Sequence, residues 1–309
     1  MLDVRAGESG HGPMIAEPLP PTGTMAAVSD RTWHAALRPM TPADVGPATE
    51  AIRRADWGDR HAWFEFATTQ PACRPIVAEV DGRIIGTGVG TANGAVGWVG
   101  TIWVEPEHRG AGLGRALTQA VIYGLQAAGC RTLLLVATEQ GGPLYERMGF
   151  TLQTRYRILE APGLATDEPP DDAVRPFAPA DLDAILALDH AATGEDRGHV
   201  IRRFVSRETT KVLAVEGEVR GFVIRAPWGG GATVAIKPDD AMRILEARRR
   251  ASGAGGRVRV GLVEENAAGL AHLEASGLLP IWSAPRLIRG EPVRWHPDWI
   301  WGQFNHAMG

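Results

Sequence analysis

The sequence predicts a mixed α/β fold that is present in two tandem copies. Its 309 residues are enough for two domains of ordinary size, and 44% hydrophobic with 22% charged residues is typical of a globular chain. An apolar strand, a glycine-rich loop and a helix follow one another around residue 110. Short motifs of the first half return in the same order in the second half, which indicates an internal repeat.

Composition narrows the class of protein before any motif is considered. The formal net charge of −4 gives no reason to expect nucleic acid or a membrane as a partner. Two cysteines, Cys73 and Cys130, cannot build a disulfide framework, so we expect a cytoplasmic protein with Cys130 in its core. No apolar run reaches the roughly 18 residues of a membrane span. Residues 1–30 are rich in Gly and Pro and are expected to be a disordered leader.

The first half opens with strand, helix and hairpin signals. Thr41 followed by Pro42 predicts the cap and the first position of a helix. Asp81-Gly82 predicts the tight turn of a hairpin. The predicted elements are a strand at 33–38, a helix at 42–55 and a hairpin of strands 76–80 and 83–89.

A strand, a loop and a helix are predicted in direct succession after this hairpin. Residues 97–104 are rich in β-branched and aromatic side chains, and Pro106, which has no N–H to donate, should end the strand. Gly110, Gly112 and Gly114 then alternate before apolar residues recur at helical spacing. Glycines admit a ligand close to the backbone, and a helix N-terminus attracts anions, so a pyrophosphate suits this loop. A glycine-rich turn without a ligand is the alternative.

The rest of the first half completes an alternating pattern of strands and helices. Residues 132–137 are apolar throughout and predict a buried strand. A short helix at 141–148 should end at Gly149, and residues 150–159 should form the last strand of this half. The acidic, Pro-rich segment 161–172 is the predicted linker.

The glycine loop departs from two common nucleotide-binding motifs. Its spacing, Gly110-x-Gly112-x-Gly114, is not G-x-G-x-x-G, and Arg115 stands where a phosphate loop needs lysine. The run from Arg109 to Gly114 instead resembles the R/Q-x-x-G-x-G/A loop of the GNAT acetyltransferases. The segment 145–150, which contains Tyr-Glu-x-x-Gly-Phe, also resembles a motif of that family. The resemblance implies tandem GNAT folds, each a mixed central sheet flanked by helices.

This resemblance implies acetyl-CoA as a co-substrate and no metal. The loop amides would bind its pyrophosphate, and the backbone around Trp103 and Val104 would polarise its thioester. Tyr145 would protonate the departing thiolate, although a tyrosine that only packs its ring is the alternative interpretation. The residues expected to bind acetyl-CoA are Ile102, Trp103, Val104, Arg109, Gly110, Ala111, Gly112, Leu113, Gly114 and Arg115.

The general base and the acceptor pocket are not fixed by these motifs. One branch of the family carries a glutamate base eleven residues before the arginine of the loop, and that position is Trp98 here. An aromatic cluster, Trp57, Trp63, Phe64 and Phe66, would form a wall for a flat or cationic acceptor, with ordinary helix packing as the alternative. Candidate bases, each also explained as a surface carboxylate, are Asp56, Asp59, Glu65 and Glu79. The residues named as candidates for substrate contact are Trp57, Trp63, Glu79 and Trp98.

The second half repeats the motifs of the first without its chemistry. Arg38-Pro39 is echoed by Arg175-Pro176, and the turn Asp81-Gly82 by Glu216-Gly217. At the offset that aligns Pro106 with Pro238, the counterparts of Arg109, Gly112 and Gly114 are Ala241, Ile244 and Glu246. The counterpart of Tyr145 is Leu273. The predicted organisation is a leader at 1–30, a catalytic domain at 31–160, a linker at 161–172 and a degenerate domain at 173–309.

These observations predict an acyl-CoA-dependent N-acetyltransferase that acts on a primary amine of a small molecule. We expect a monomer with an internal pseudo-dimer of GNAT domains. Two other functions stay open: a protein or peptide N-acetyltransferase, which needs an open groove, and a non-catalytic acyl-CoA sensor, which tolerates the loss of Tyr145.

Overall fold

The computed structural model describes residues 35–55, 57–166 and 169–309. The predicted leader, the beginning of the predicted first strand and the candidate base Asp56 lie outside these residues. The described residues belong to one compact unit.

The first half contains six strands and four helices within its described residues. The predicted helix at 42–55 is a 3-10 turn, Pro42–Asp44, followed by a separate α-helix. The elements are β1 Ala36–Pro39, α1 Val45–Arg54, α2 His61–Thr69, β2 Cys73–Val80, β3 Arg83–Asn93, β4 Val96–Val104, α3 Leu113–Ala127, β5 Thr132–Val136, α4 Gly142–Arg147 and β6 Thr151–Pro162.

The described part of the second half follows the same plan. Its strands and helices are β7 Val174–Pro176, α5 Leu182–Thr193, α6 Gly198–Phe204, β8 Thr210–Val215, β9 Glu218–Arg225, β10 Gly231–Ala235, α7 Pro238–Ser252, β11 Arg257–Val263, α8 Ala267–Ala275, β12 Leu279–Gly290 and β13 Ile300–Gly302.

Local contacts confirm the repeat that the sequence predicts. Arg38 binds both carboxylate oxygens of Asp44 at 2.8 Å, and Arg175 binds those of Asp181 at 2.8 and 2.7 Å. In each half this pair fixes the start of the first helix. The turns at Asp81-Gly82 and Glu216-Gly217 both have positive φ at their two central residues, as tight hairpins require.

The two halves exchange their last strands. The larger sheet has the order β1-β2-β3-β4-β5-β12-β6-β11, so β12 of the second half pairs with β5 of the first. In return, β6 of the first half pairs with β11 of the second. The predicted last strand of the first half therefore forms, but it completes a sheet that both halves share. The smaller sheet has the order β13-β10-β9-β8-β7.

A buried polar cluster also joins the halves. The side chains of Asn93 and Trp98 donate to one carboxylate oxygen of Glu195 at 2.6 and 2.8 Å. The guanidinium of Arg286 stacks on Trp98 at 5.0 Å and on Trp295 at 4.3 Å. Burial raises the pKa of Glu195, whereas Arg197, Arg286 and the two donors act in the opposite direction. Each half thus contributes to a core that neither completes alone.

Candidate active site

A cleft of about 1170 Å³ lies between the two halves. Its first-half wall is built from β4, the loop before α3 and the segment around α4. Its second-half wall is built from the β9–β10 turn, α7, β11 and the residues after β13. The described lining includes six arginines but only one carboxylate, that of Asp59, so the cleft has a positive potential.

The cleft opens where β4 and β5 separate. These two strands are parallel neighbours only where Val96–Trp98 faces Thr132–Leu134. Further along, Thr101 has φ of +51°, an uncommon conformation for a β-branched residue, and the register of β4 against β3 shifts there. The Thr101 hydroxyl accepts from the indole of Trp63 at 3.0 Å, and its carbonyl accepts from Thr87 at 2.9 Å. The bulge is therefore held in place, and the β5-facing backbone of β4 has no strand partner beyond Trp98.

The glycine loop runs from this bulged strand into α3. Gly110 and Gly112 have φ of +78° and +91°, so their conformations favour glycine. The side chain of Arg109 donates to the carbonyl of Val104 at 2.9 Å and ties the loop to the strand. Gly114 is different because its φ is not positive, and an added Cβ would only touch Leu144 and Val104 at 3.8 Å.

The loop and its surroundings fit a pyrophosphate. The first N–H groups of α3 have no partner within the helix and carry a partial positive charge. Arg109, Arg115 and Arg147 line the cleft beside them. Of the ten residues predicted to bind acetyl-CoA, all line the cleft except Ala111 and Leu113. The Leu113 side chain is buried in the core, whereas its backbone begins the helix.

Tyr145 lies on α4 and lines the same cleft. Its side chain is 8% exposed and packs edge-on against Phe150, with ring centroids 6.1 Å apart. Burial raises the pKa of its hydroxyl to about 12, so the phenol stays protonated at neutral pH. Among the described residues the hydroxyl has no hydrogen-bond partner, and it is available to a ligand.

Known proteins share this architecture. The profile of the acetyltransferase (GNAT) family matches residues 34–150, and that of an acetyltransferase (GNAT) domain matches residues 185–302. The chain belongs to the GNAT family. It contains two GNAT domains in tandem, as the sequence predicts.

Individual relatives are distant. "Uncharacterized N-acetyltransferase YitH" of Bacillus subtilis (strain 168) is 27% identical over 175 residues, which are 54% of this chain and 61% of that protein. "Mycothiol acetyltransferase" of Pseudarthrobacter chlorophenolicus is 35% identical over 116 residues, 34% of each chain. The chain thus spans from about a third to three fifths of these curated relatives. A Pyrococcus horikoshii protein of known structure shares the fold, with a TM-score of 0.76 at 20% identity, over 92% of this chain and 100% of that chain.

The GNAT cleft offers two side chains that could accept a proton from an amine. The carboxylate of Asp59 lines it but is exposed, accepts from the His61 amide at 2.8 Å and pairs with Arg53 at 3.1 Å. His306 also lines it, and its ring stacks on Tyr156 at 5.3 Å. Burial, helped by the charge of Arg60, lowers the pKa of His306 to about 4, so the imidazole is neutral at neutral pH.

Other predicted site residues lie away from the cleft lining. Glu79 is on β2, where its carboxylate binds Arg38 at 2.5 Å, and Glu65 is exposed on α2. Trp98 is fully buried in the cluster with Glu195, which explains why this position carries an indole donor and no carboxylate. No sequence motif pointed to His306, because it reaches the cleft only through the segment that follows β13.

The aromatic wall differs from the predicted one. Trp57 and Trp63 line the cleft, but Phe64 and Phe66 are buried in the core. Trp228 packs edge-on against Trp63, with centroids 5.4 Å apart, and lines the cleft from the second half. Trp282 of β12 packs at a tilt against His306, with ring centroids 5.3 Å apart, and extends the wall. The wall is therefore built by both GNAT domains.

The second GNAT domain lacks the equivalent opening. Only Ile236 and Lys237 separate β10 from α7, so there is no loop here to hold a phosphate. Ala241 and Ile244, aligned by sequence with loop residues, are buried within α7 instead, which corrects that alignment. Asp239 and Asp240 lie in the first turn of α7.

The chain itself occupies the space beside β10. β13 pairs with β10, and the next residue, Gln303, donates to the carbonyl of Gly261 on β11 at 2.9 Å. The counterpart of Tyr145, Leu273, is fully buried in the core. The described residues hold no group of three or more side chains placed to bind a metal ion. None of the described helices has both the length and the apolar character needed to cross a membrane.

Proposed function

We propose that this chain is an acyl-CoA-dependent N-acetyltransferase that transfers the acetyl group of acetyl-CoA to a primary amine of a small molecule. The observation that carries the proposal is that one cleft combines three features. These are the separation of β4 from β5, the glycine loop at the start of α3 and the unpartnered hydroxyl of Tyr145.

Acetyl-CoA fits this cleft as a co-substrate. Its pyrophosphate would meet the N–H groups at the start of α3 together with Arg109 and Arg115. Its pantetheine arm carries amide groups, and the unpaired edge of β4 beyond Trp98 offers backbone donors and acceptors to them. GNAT acetyltransferases generally use this co-substrate, which supports the assignment.

The reaction is a direct acyl transfer. The neutral amine attacks the thioester carbonyl carbon, a C–N bond forms, and the C–S bond breaks with its electron pair on sulfur. Tyr145 gives its phenolic proton to this thiolate and regains one from solvent. The proton that the amine loses passes to Asp59, to His306 or to water, since both side chains line the cleft in their proton-accepting forms.

Two features favour a small acceptor over a protein. Trp228 and Trp282 of the second domain line the cleft. The tail after β13 also enters it, and Ala307 packs so closely on Gly100 that an added Cβ there would lie 2.2 Å from the Ala307 Cβ. A folded protein surface would have to displace this wall, whereas a small amine would not.

The second domain would support this site without binding acetyl-CoA itself. Its β10–α7 connection has no glycine loop, and β13 lies where a ligand would have to enter. Two aspartates at the start of α7 would also repel a pyrophosphate. We therefore infer one acetyl-CoA site per chain.

An amine panel tests the proposal directly. Purified protein is incubated with acetyl-CoA and single amines, and released thiol is measured against protein-free and amine-free controls. We expect amine-dependent thiol release that Tyr145→Phe reduces. Binding of acetyl-CoA without turnover of any small amine or peptide would contradict catalysis and favour the sensor alternative.

A further inference from the structure

Two partly buried arginines that line the cleft have no carboxylate partner among the described residues. Arg60, at the start of α2, donates only to the backbone carbonyl of Asp59 at 3.0 Å. Within the described part of the chain, Arg248 on α7 donates only to the backbone carbonyl of Arg259 at 3.1 Å. Both side chains are partly buried and line the cleft, one from each domain.

Several arginines elsewhere in the described residues are paired with carboxylates. Arg197 is buried and ion-paired with Asp189, and Arg175 with Asp181. Arg259 lines the same cleft and is paired with Glu160 at 2.7 Å. Guanidinium groups taken from water are normally compensated by a carboxylate or phosphate. Arg60 and Arg248 lack this compensation among the described residues, and both line the cleft.

The charges around Arg60 and Arg248 do not offset the cost of burying their guanidinium groups. Burial lowers the pKa of Arg60, and only Asp59, whose carboxylate already binds Arg53, opposes this. Burial, followed by the charge of Arg225, lowers the pKa of Arg248 to about 10. An anion bound beside either guanidinium would restore its preference for the charged form.

Neither arginine belongs to the glycine loop, to α3 or to α4. The arginines of those elements, Arg109, Arg115 and Arg147, line the part of the cleft proposed for the pyrophosphate. Arg60 precedes α2 near the wall of Trp57 and Trp63, and its charge acts on His306. Arg60 is thus placed for the acceptor side of the cleft, and Arg248 lines the same cleft from the second domain. An acceptor whose only charge is ammonium would be repelled by both.

We propose that the acceptor is an amine that also carries an anionic group, a carboxylate or a phosphate, and that Arg60 and Arg248 bind this group. The proposal rests on the acetyltransferase function above and narrows its substrate class. Polyamines and simple alkylamines are excluded as preferred acceptors. The aromatic wall then holds the carbon skeleton of the acceptor, and the arginines fix its anionic end.

The test compares matched pairs of acceptors that differ in the anion alone. Thiol release is measured with phenylalanine and phenylalaninamide, and with O-phosphoethanolamine and ethanolamine. We expect kcat/KM for the anionic member of at least one pair to exceed that of its neutral partner by about 10- to 100-fold. Preference in the first pair identifies a carboxylate, and preference in the second identifies a phosphate. Equal turnover, or preference for the neutral members, would overturn the proposal.

Variants separate this proposal from the function on which it rests. Arg60→Gln and Arg248→Gln should each remove most of the preference for the anionic acceptor, whereas acetyl-CoA affinity should stay within about two-fold. Arg202→Gln, which removes an exposed charge of α6 outside the cleft, is the matched control and should change neither quantity. If the wild type itself does not bind acetyl-CoA, the acetyltransferase function is refuted instead.

A binding measurement covers the case in which none of the four probes is turned over. The melting temperature of the acetyl-CoA-bound protein is measured with inorganic phosphate and with benzoate at constant ionic strength. We expect at least one anion to raise it in the wild type and in Arg202→Gln, and to do so less in Arg60→Gln. No increase with either anion in the wild type would contradict an anion site.

Discussion

The two halves of this protein carry the same fold, but only one of them opens its sheet. In the first half, β4 and β5 separate after Trp98, and a glycine loop fills the segment 105–112. In the second half, Ile236 and Lys237 alone connect β10 to α7, and β13 pairs with β10. A GNAT fold therefore becomes a ligand site through its loop and its gap, whereas the surrounding sheet and helices only hold these in place.

The unopened half still contributes to the site. It supplies Trp228, Trp282 and His306 to the cleft and exchanges strands with the first half. The proposal thus assigns the co-substrate loop to the first domain and part of the acceptor wall to the second. The predictions below test this division of roles, and they run from the largest expected effect to the smallest.

The largest effect is expected from the tyrosine that distinguishes α4 from α8. Tyr145→Phe keeps the ring against Phe150 and removes the proton donor. A general acid contributes about 10²- to 10⁴-fold, so kcat should fall by that factor while acetyl-CoA affinity and melting temperature hardly change. Leu273→Met changes the second-half counterpart conservatively and should leave kcat unaltered. A kcat within a few-fold of wild type in Tyr145→Phe would make Tyr145 a packing residue.

The glycine loop is present in the first half and absent from the second, and its role is tested best at Gly114. Gly110 and Gly112 need positive φ, so their replacement strains the backbone, whereas Gly114 has room for a Cβ and no such requirement. Gly114→Glu places a carboxylate in the first turn of α3, where it suits the helix but opposes a pyrophosphate. We expect acetyl-CoA affinity by calorimetry to fall about 100-fold, and to fall much less in Gly114→Gln. Equal affinity in both variants would show that the pyrophosphate lies elsewhere.

His306, which the second half contributes to the proposed acceptor wall, should make the stability of the protein depend on pH. The pKa of His306 is about 4 in the folded protein and near its ordinary value of 6.5 in the unfolded chain. The contribution of the neutral His306 ring to the free energy of unfolding is therefore complete above about pH 6.5. It is lost as the pH falls toward about 4. Between about pH 7.5 and pH 4.5 the wild type should lose about 2–3 kcal/mol more unfolding free energy than His306→Phe, which keeps the stacking. Urea unfolding at both pH values measures this, and parallel losses would contradict it.

The smallest effect is expected for an arginine–aspartate pair that both halves keep. Asp44 and Asp181 each accept two hydrogen bonds from an arginine and one from a backbone amide. Asp44→Asn and Asp181→Asn should each cost about 1–2 kcal/mol of unfolding free energy, reduced by the partial exposure of Arg38 and Arg175. Similar costs by urea unfolding would show that both helix starts are equally structural. A cost in one half alone would mean that the repeat has diverged here as well.

Local features of this fold were predictable from the sequence, and long-range ones were not. The strand, loop and helix around Gly110 and the two hairpin turns follow from short-range propensities, and the structure has them. Tyr145 and the loop reach one cleft as the GNAT resemblance implied. The sequence also indicated that the second half has lost the glycine loop. The residues that it aligned with the loop, such as Ala241 and Ile244, lie within α7.

The unpredicted features all depend on pairings between distant segments. No periodicity reveals that β12 pairs with β5 or that β13 pairs with β10, because strand patterns are the same whichever partner they meet. His306 reaches the cleft through this topology. The role of Trp98 likewise depends on Glu195, which is 97 residues away along the chain.

The number of acetyl-CoA molecules bound per chain tests the account most directly, because it asks whether one half or both halves carry a site. Calorimetric titration of the wild type should give one site per chain, and Gly114→Glu should remove it without exposing another. Asp239→Asn, which reduces the negative charge at the start of α7, should leave the stoichiometry at one because β13 still fills the space beside β10. Two saturable sites of similar affinity in the wild type, or one site that survives in Gly114→Glu, would contradict the assignment of the co-substrate site to the first half.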